Sequence, residues 1–133
     1  MVDGAEQLDR SFSLFIRVRD AMDGGMTRCI SCGRVMRFEK MQCGHFFGRG
    51  NMSVRWDEDN CHAECWECNC HDPDHLIGYE RNLRRKIGDD AFNALKTRAG
   101  TPRRWEAWEL DGLSVHYMRE ARKIARKKGI HIG

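Results

Sequence analysis

The sequence predicts an α+β fold: a small β core stapled by zinc and flanked by N-terminal and C-terminal helices. Three observations predict it. Apolar residues recur at helical spacing near both ends of the chain. Between them lies a cysteine- and glycine-rich stretch with strand-like alternation. Two Cys-x-x-Cys knuckles bracket that stretch.

The first helix is expected over 5–22. Leu8, Phe12, Phe15 and Ile16 fall near 3.6-residue spacing, with Asp9, Arg10 and Arg17 turned away. Asp23-Gly24-Gly25 stops it. In 41–46, Met41, Cys43 and His45 share one strand face and Gln42, Gly44 and Phe46 the other. Residues 47–59 read as a loop anchored by Phe47 and Trp56, and a second short strand covers 60–64. Asp72-Pro73-Asp74 reads as a helix start, with a capping carboxylate and proline at the first helical position. Leu76, Ile77, Tyr79, Leu83 and Ile87 then form one face, closed by Gly88. A short helix surrounds Phe92 and Leu95, and a last helix runs from about 106 to 128, with a bend at Asp111-Gly112. The organisation is an N-terminal helix (1–28), a core with following helices (29–100) and a basic C-terminal helix (101–133), in one compact domain.

Composition narrows the function classes. The chain has 133 residues, 41% hydrophobic, enough for one modest core. Domains this small often need a staple. With 23 basic and 20 acidic residues the net charge is only +3, so any nucleic-acid role must come from where the charges sit. No apolar run approaches the roughly 18 residues of a spanning helix. Asp3, Glu6, Asp9, Arg10 and Arg17 leave no apolar signal-peptide core. The expected setting is the cytoplasm, where seven cysteines read as a metal site plus spare thiols rather than disulfides.

Cys29-Ile-Ser-Cys32 and Cys65-Trp-Glu-Cys68 each place two thiolates at one end of a tight turn, two corners of a zinc tetrahedron. The 32 residues between the pairs leave room for a hairpin. A redox Cys-x-x-Cys would need a helix N-terminus in a βαβ pattern, which is absent. A two-Cys two-His finger fails, because Gly48-Arg49-Gly50-Asn51 stands where its second histidine belongs. Cys43 and His45 joining Cys29 and Cys32 is an alternative ligand set. His62-Ala-Glu64 imitates a zinc deaminase signature but runs straight into Cys65.

A histidine at a strand end between two knuckles is suited to act as a base: neutral His45 could take a proton from water while a divalent cation holds a phosphate. The bland reading is a metal ligand or a surface residue. Residues 117–128 hold six basic side chains (Arg119, Arg122, Lys123, Arg126, Lys127 and Lys128) against one acid, Glu120. Tyr117, Ala121 and Ile124 line the opposite face. Arg81, Arg84, Arg85 and Lys86 form a second cluster. Such runs are usually solvated helix faces; they also suit backbone phosphate contact. Arg49 and Arg55 stand next to His45, where a bound nucleic-acid strand would be touched. Trp105 and Trp108 read as core anchors.

The series Cys-Ile-Ser-Cys-Gly, Cys-Gly-His45-Phe, Arg49-Gly, Arg55-Trp-Asp, Asn60-Cys-His and Cys65-x-x-Cys68-Asn69 resembles the HNH (His-Me finger) nucleases. More closely it is similar to the lambdoid phage NinG/Rap recombination protein family, over about residues 8–100. The resemblance implies a ββα-metal core and cleavage of branched or junction DNA in a bacterial host cytoplasm. It makes His45 the general base, Asn60 the structural tie of the motif and Asn69 a ligand of a catalytic divalent cation such as Mg2+. His62, His71, Asp72 and His75 are candidate partners of Asn69. Gly44 departs from the family, where an Asp or His often ligates metal at that position. Asp74 and His75 replace a Gly-Asn pair, and Cys43 and Cys70 are unexpected. The competing expectation is a non-catalytic zinc module that binds DNA or a recombinase partner. A third is an RNA-binding zinc protein. A homodimer formed through the apolar face of the last helix would suit an enzyme acting on two strands.

Overall fold

The computed structural model describes residues 4–132. The outermost ends of the first and last predicted segments, residues 1–3 and 133, lie outside the described residues. Leu8, Phe12, Phe15 and Ile16 share one stripe and wind the chain into helix α1, Gly4–Asp20. A short hairpin follows, β1 (Met26–Arg28) with β2 (Val35–Arg37), and carries the first knuckle in its turn. After a 3-10 turn at Phe38–Lys40, β3 (Met41–His45) pairs antiparallel with β4 (Cys61–Cys65). A π-helical turn, Glu67–His71, leads to α2 (His75–Ile87), α3 (Asp89–Ala99) and α4 (Ala107–Lys128). The architecture is therefore mixed α+β with two separate two-stranded sheets. No helix among the described residues is long and apolar enough to cross a membrane.

The two chain ends build the main core together. Phe12 and Phe15 of α1 meet the Tyr117 ring of α4 at 4.7 and 4.8 Å between centroids. Ala121 and Ala125 bring the two helices close. Ser11 and Ser114 hydrogen-bond across the seam at 3.0 Å. The Lys128 ammonium donates to the carbonyls of Val18, Arg19 and Ala21. It caps the electronegative end of α1, where those carbonyls lack helical partners. The apolar face of α4 is thus consumed by α1, which corrects its assignment as a dimer surface. Helix α4 is assigned without interruption through Asp111-Gly112, and no break replaces the expected bend.

A second core holds Val54, Tyr79, Leu83, Phe92 and Leu95. The 46–60 loop spans both cores: Val54 plugs into this one and Trp56 into the α1–α4 core. The predicted anchor Phe47 only flanks the second core, packed against Phe46.

Four expectations are corrected here. Helix α2 begins at His75, because the preceding turn is π-wound; Asp72 instead accepts the Asp74 amide at 2.9 Å, a local turn. Ile77 is 71% exposed, since it lies about 140° round the helix from the centre of the Tyr79–Leu83 face, and Leu76 remains 40% exposed at the helix start. Trp108 is 75% exposed and anchors nothing, whereas Trp105 packs edge-on against Trp56 at 5.4 Å. The β1–β2 hairpin was not foreseen, because three-residue strands carry almost no periodic signal.

Candidate functional site

The sulfurs of Cys29, Cys32, Cys65 and Cys68 all lie within 4.8 Å of one another, with Cys32 Sγ 3.8 Å from Cys65 Sγ. Backbone amides already donate to them: Arg34 to Cys32 at 3.5 Å and Cys65 to Cys29 at 3.3 Å. Burial pushes the Cys29 and Cys68 thiols up, so these two ionise readily only if a cation compensates, whereas at Cys32 burial is outweighed by hydrogen bonds from the Arg34 amide and the neighbouring thiols, which bring it down. Four convergent sulfurs braced by amides suit a metal ion such as zinc. All seven cysteines are free.

The knuckle also seats α2. A side chain at Gly78 would put its Cβ 2.3 Å from the Ser31 carbonyl oxygen, so only glycine allows this approach. Asn82 donates to the Ile30 carbonyl at 2.7 Å. Through these contacts a metal at the knuckle would hold α2 and β4 against each other.

His45 ends β3, directly opposite Cys61. Its Nε2 lies 2.8 Å from the Arg55 carbonyl oxygen. A carbonyl only accepts, so the proton sits on Nε2 and Nδ1 keeps its lone pair. Burial holds the imidazole pKa below its ordinary value, outweighing the hydrogen bond to Arg55 and the charge of Asp9 that would raise it. The ring is therefore neutral near pH 7.

What presents that carbonyl is Asp9. Its carboxylate takes both the Nε and a terminal nitrogen of Arg55, and accepts the Trp56 indole N–H at 2.9 Å. Asp9 was expected to face away, so this is a correction; the contact spans 46 residues of chain and leaves no local signal. Arg55 is corrected with it: its guanidinium is committed to Asp9, and its backbone, not its charge, serves the site.

Asn60 is fully buried. Its amide donates to the Phe47 and Val54 carbonyls, each at 3.0 Å, and its oxygen accepts the Phe47 amide at 2.8 Å. Tyr79 donates to the Gly44 carbonyl at 2.6 Å and reaches that of Asn60 at 3.3 Å. Both ends of the loop beside His45 are thereby pinned.

A pocket of about 520 Å³ runs along β3, and His45, Arg49, Asn69 and His75 all line it with Asp9 and Gln42. Asn69 spends its Nδ2 on Gln42 Oε1 at 2.6 Å, which leaves Oδ1, the ligating atom of an asparagine, uncommitted by that bond. His75 gives its Nδ1 proton to Glu64 Oε2 at 2.6 Å, leaving Nε2 as its ligand atom. Glu64, missed by the sequence reading, is fully buried; it also accepts the Ser31 hydroxyl, while its Oε1 has no hydrogen-bond partner among the described residues. It explains Gly44, whose added Cβ would lie 2.3 Å from Glu64 Oε1 and 2.7 Å from Glu64 Cβ. The alternation in β4 was a usable signal, but it reads as a solvent face unless α2 is known to cover it.

The other candidates separate from the pocket. His62 is buried, with Nδ1 near Arg19 (3.1 Å) and Lys86 (2.8 Å) and Nε2 donating to Asp59 O. Both ring nitrogens are spoken for, which corrects it as a ligand. Burial, then the charges of Lys86 and Arg19, push it down to about 3. Asp20 closes the network: burial opposes its charge, but Arg19 and Lys86 prevail and hold its pKa at about 2. His71 packs edge-on against Trp66, and with Asp72 lines a different concavity, so neither serves Asn69.

The basic clusters divide too. Arg84 is tied to Glu80 and Asp89 and lies 4.0 Å over the Phe92 ring, and Lys123 pairs with Glu120; both are corrected as free phosphate contacts. Arg81 and Arg85 are exposed on α2. Arg119, Arg122 and Arg126 line a groove with Gln7, Ser11 and Ser114. On α1 this groove meets residues 7 and 11, whereas the His45 pocket meets 9, 12 and 13, so the two flank opposite sides of the helix.

No solved structure matches the chain. Protein ninG of Salmonella phage P22 is 27% identical over 120 residues, covering 90% of this chain and 56% of the relative. Protein ninG of Escherichia phage 933W is 26% identical, and that of Escherichia phage lambda 25%, each over 124 residues and 92% of this chain. The chain spans somewhat under 60% of the length of those two relatives. The family described as Bacteriophage Lambda NinG protein matches residues 3–127, and with nearly the whole chain inside that match, the protein belongs to the NinG family of lambdoid phages.

Proposed function

We propose that the protein is a metal-dependent DNA endonuclease of phage recombination, of the HNH type, cutting branched or junction DNA in the host cytoplasm. The observation that carries the reading is the His45–Arg55 hydrogen bond: a neutral imidazole, fixed in one tautomer, turned into a pocket it shares with Asn69. A β3–β4 hairpin followed by helix, with Asn60 tying the intervening loop, supports the ββα-metal core.

His45 takes a proton from water at Nδ1, and the water oxygen attacks the phosphodiester phosphorus as the bond from phosphorus to one ester oxygen breaks, that oxygen leaving and taking a proton from solvent. Asp9 and Arg55 hold the ring in place. Asn69 Oδ1 and His75 Nε2 are the groups that would hold a divalent cation such as Mg2+, which supplies charge neutralisation at the scissile phosphate when bound. Glu64 orients His75, the arrangement by which carboxylates fix metal-binding histidines. Exposed Arg49 lines the same pocket and would meet the cleaved strand, while Arg81, Arg85, Arg119, Arg122 and Arg126 would grip backbone phosphates of the arms.

The test compares wild type with His45→Ala on a four-way junction with Mg2+, at equal zinc content and equal far-UV dichroism. The expected loss is about 10²-fold or more in cutting, with junction binding retained. A second reading, a zinc module that binds DNA or a recombination protein without cutting it, is favoured by Gly44, which offers no ligand beside His45. It predicts no cutting by either protein with Mg2+ or Mn2+.

A further inference from the structure

The pairing of β3 with β4 does something the spacing of cysteines does not suggest. His45 stands opposite Cys61, and Cys43 lies two residues back on the same face of the hairpin. Both sulfurs and a His45 ring nitrogen come within 4.8 Å of one another, well away in sequence from the knuckle pairs. Cys61 is fully buried and donates to the same Arg55 carbonyl as His45; Cys43 and His45 line the pocket. Neither thiol has a part in the proposed hydrolysis.

We propose that Cys43, His45 and Cys61 form a second metal site, selective for a thiophilic divalent ion of the zinc class. Two sulfurs and one imidazole are a three-ligand set that leaves the fourth tetrahedral position open, here toward the pocket. Bonds of about 2.3 Å to sulfur and about 2.0 Å to nitrogen put tetrahedral ligand atoms roughly 3.5 to 3.8 Å apart, so side-chain ends need to close by about 1 Å. On ligation the two thiols release their protons to solvent. Hard Mg2+ has no use for such a set, whereas zinc prefers it over the oxygen ligands around Asn69.

The site has a regulatory consequence, which rests on His45 being the base. If the ion takes Nδ1 it removes the lone pair that accepts the proton; if it takes Nε2 it breaks the bond to Arg55 that orients the ring. Zinc in excess of the knuckle equivalent therefore stops cutting.

The experiment starts from the full chain carrying one zinc, under reducing conditions. It adds cobalt(II) and reads retained metal by elemental analysis and thiolate-to-cobalt absorption. Wild type should hold one zinc and one cobalt, with the absorption of a thiolate-bound ion. Cys43→Ala and Cys61→Ala should each lose the cobalt and keep the zinc. Wild type that retains no cobalt overturns the site, as does cobalt bound equally by both variants. Cys43 is only half-buried, so its variant is safe for folding, and should Cys61→Ala fail to fold, the loss of cobalt and of thiolate-to-cobalt absorption in Cys43→Ala decides. With junction DNA and Mg2+, Cys43→Ala should need roughly tenfold more zinc for inhibition, the scale that even outer-shell changes reach. Inhibition at equal zinc in both proteins overturns the regulatory half. Absence of cutting at any zinc level removes the nuclease reading and leaves the metal count standing.

Discussion

Two clusters of side chains that could hold a metal ion sit on opposite terms with the chain. The four sulfurs of the knuckles come from two local turns, each with its own Cys-x-x-Cys spacing, and the amides of Arg34 and Cys65 donate to the sulfurs of Cys32 and Cys29. Cys43, His45 and Cys61 instead meet only because one strand lies in one register against another. A single-residue slip would turn Cys61 to the other face and disperse the second cluster. The first would lose its position on β4 but keep each pair intact. Locally encoded ligands make a staple; ligands set by register make a site that depends on the staple.

The sharpest way to break that contrast is to remove the staple. Cys65→Ser should abolish zinc retention and cooperative unfolding together, because structural zinc contributes on the order of 10 kcal/mol, comparable to the whole stability of a small domain. Dichroism and metal content on the purified variant check it. Cys43→Ala should unfold within about 1 kcal/mol of wild type, as expected for a half-exposed thiol. Equal losses from both substitutions would erase the distinction.

Next in size is the register itself. Gly44→Ala forces a Cβ into the Glu64 side chain and should cost about 1 to 3 kcal/mol in denaturant unfolding. Gly48→Ala, with open space around it, should stay within about 0.5 kcal/mol. An unchanged midpoint for Gly44→Ala would show that the hairpin yields where it is drawn tight.

The last test concerns the flank behind the site. His62 titrates near 6.5 in the unfolded chain and at about 3 when folded. Between those values the unfolded state binds a proton that the folded state refuses, so stability is fully present above pH 6.5 and lost as pH falls toward 3. One proton gives up to about 1.4 kcal/mol per pH unit. His62→Gln, which can keep both an acceptor and a donor, should flatten that slope in urea midpoints measured from pH 7 to 4. An unaltered slope would place the linked proton elsewhere.

The contrast also explains what could be read in advance. The α1 stripe, the β3 face of Met41, Cys43 and His45, and the four knuckle sulfurs were all legible, because each is a pattern within a few residues. The burial of His62 and Glu64 was not, since alternation in a strand says only that two faces differ, not which one a helix covers. Trp108 and Ile77 misled for a related reason: an apolar residue on a helix is buried only where another element arrives. Arg55 read as a free cation beside His45, and its partner Asp9 is 46 residues away.

By itself the chain's sequence determined the mixed α+β class, the position of the main helices and the four-cysteine cluster that could hold a metal ion, since all three arise from local periodicity and spacing. Tertiary structure alone decided that Asp9 aims His45 through Arg55, that Glu64 occupies the space Gly44 vacates, and that Cys43 and Cys61 converge on the imidazole. Those outcomes depend on strand register and on which faces the helices cover. Contacts between residues 18 to 46 positions apart are set by packing the whole core, not by any short stretch of it.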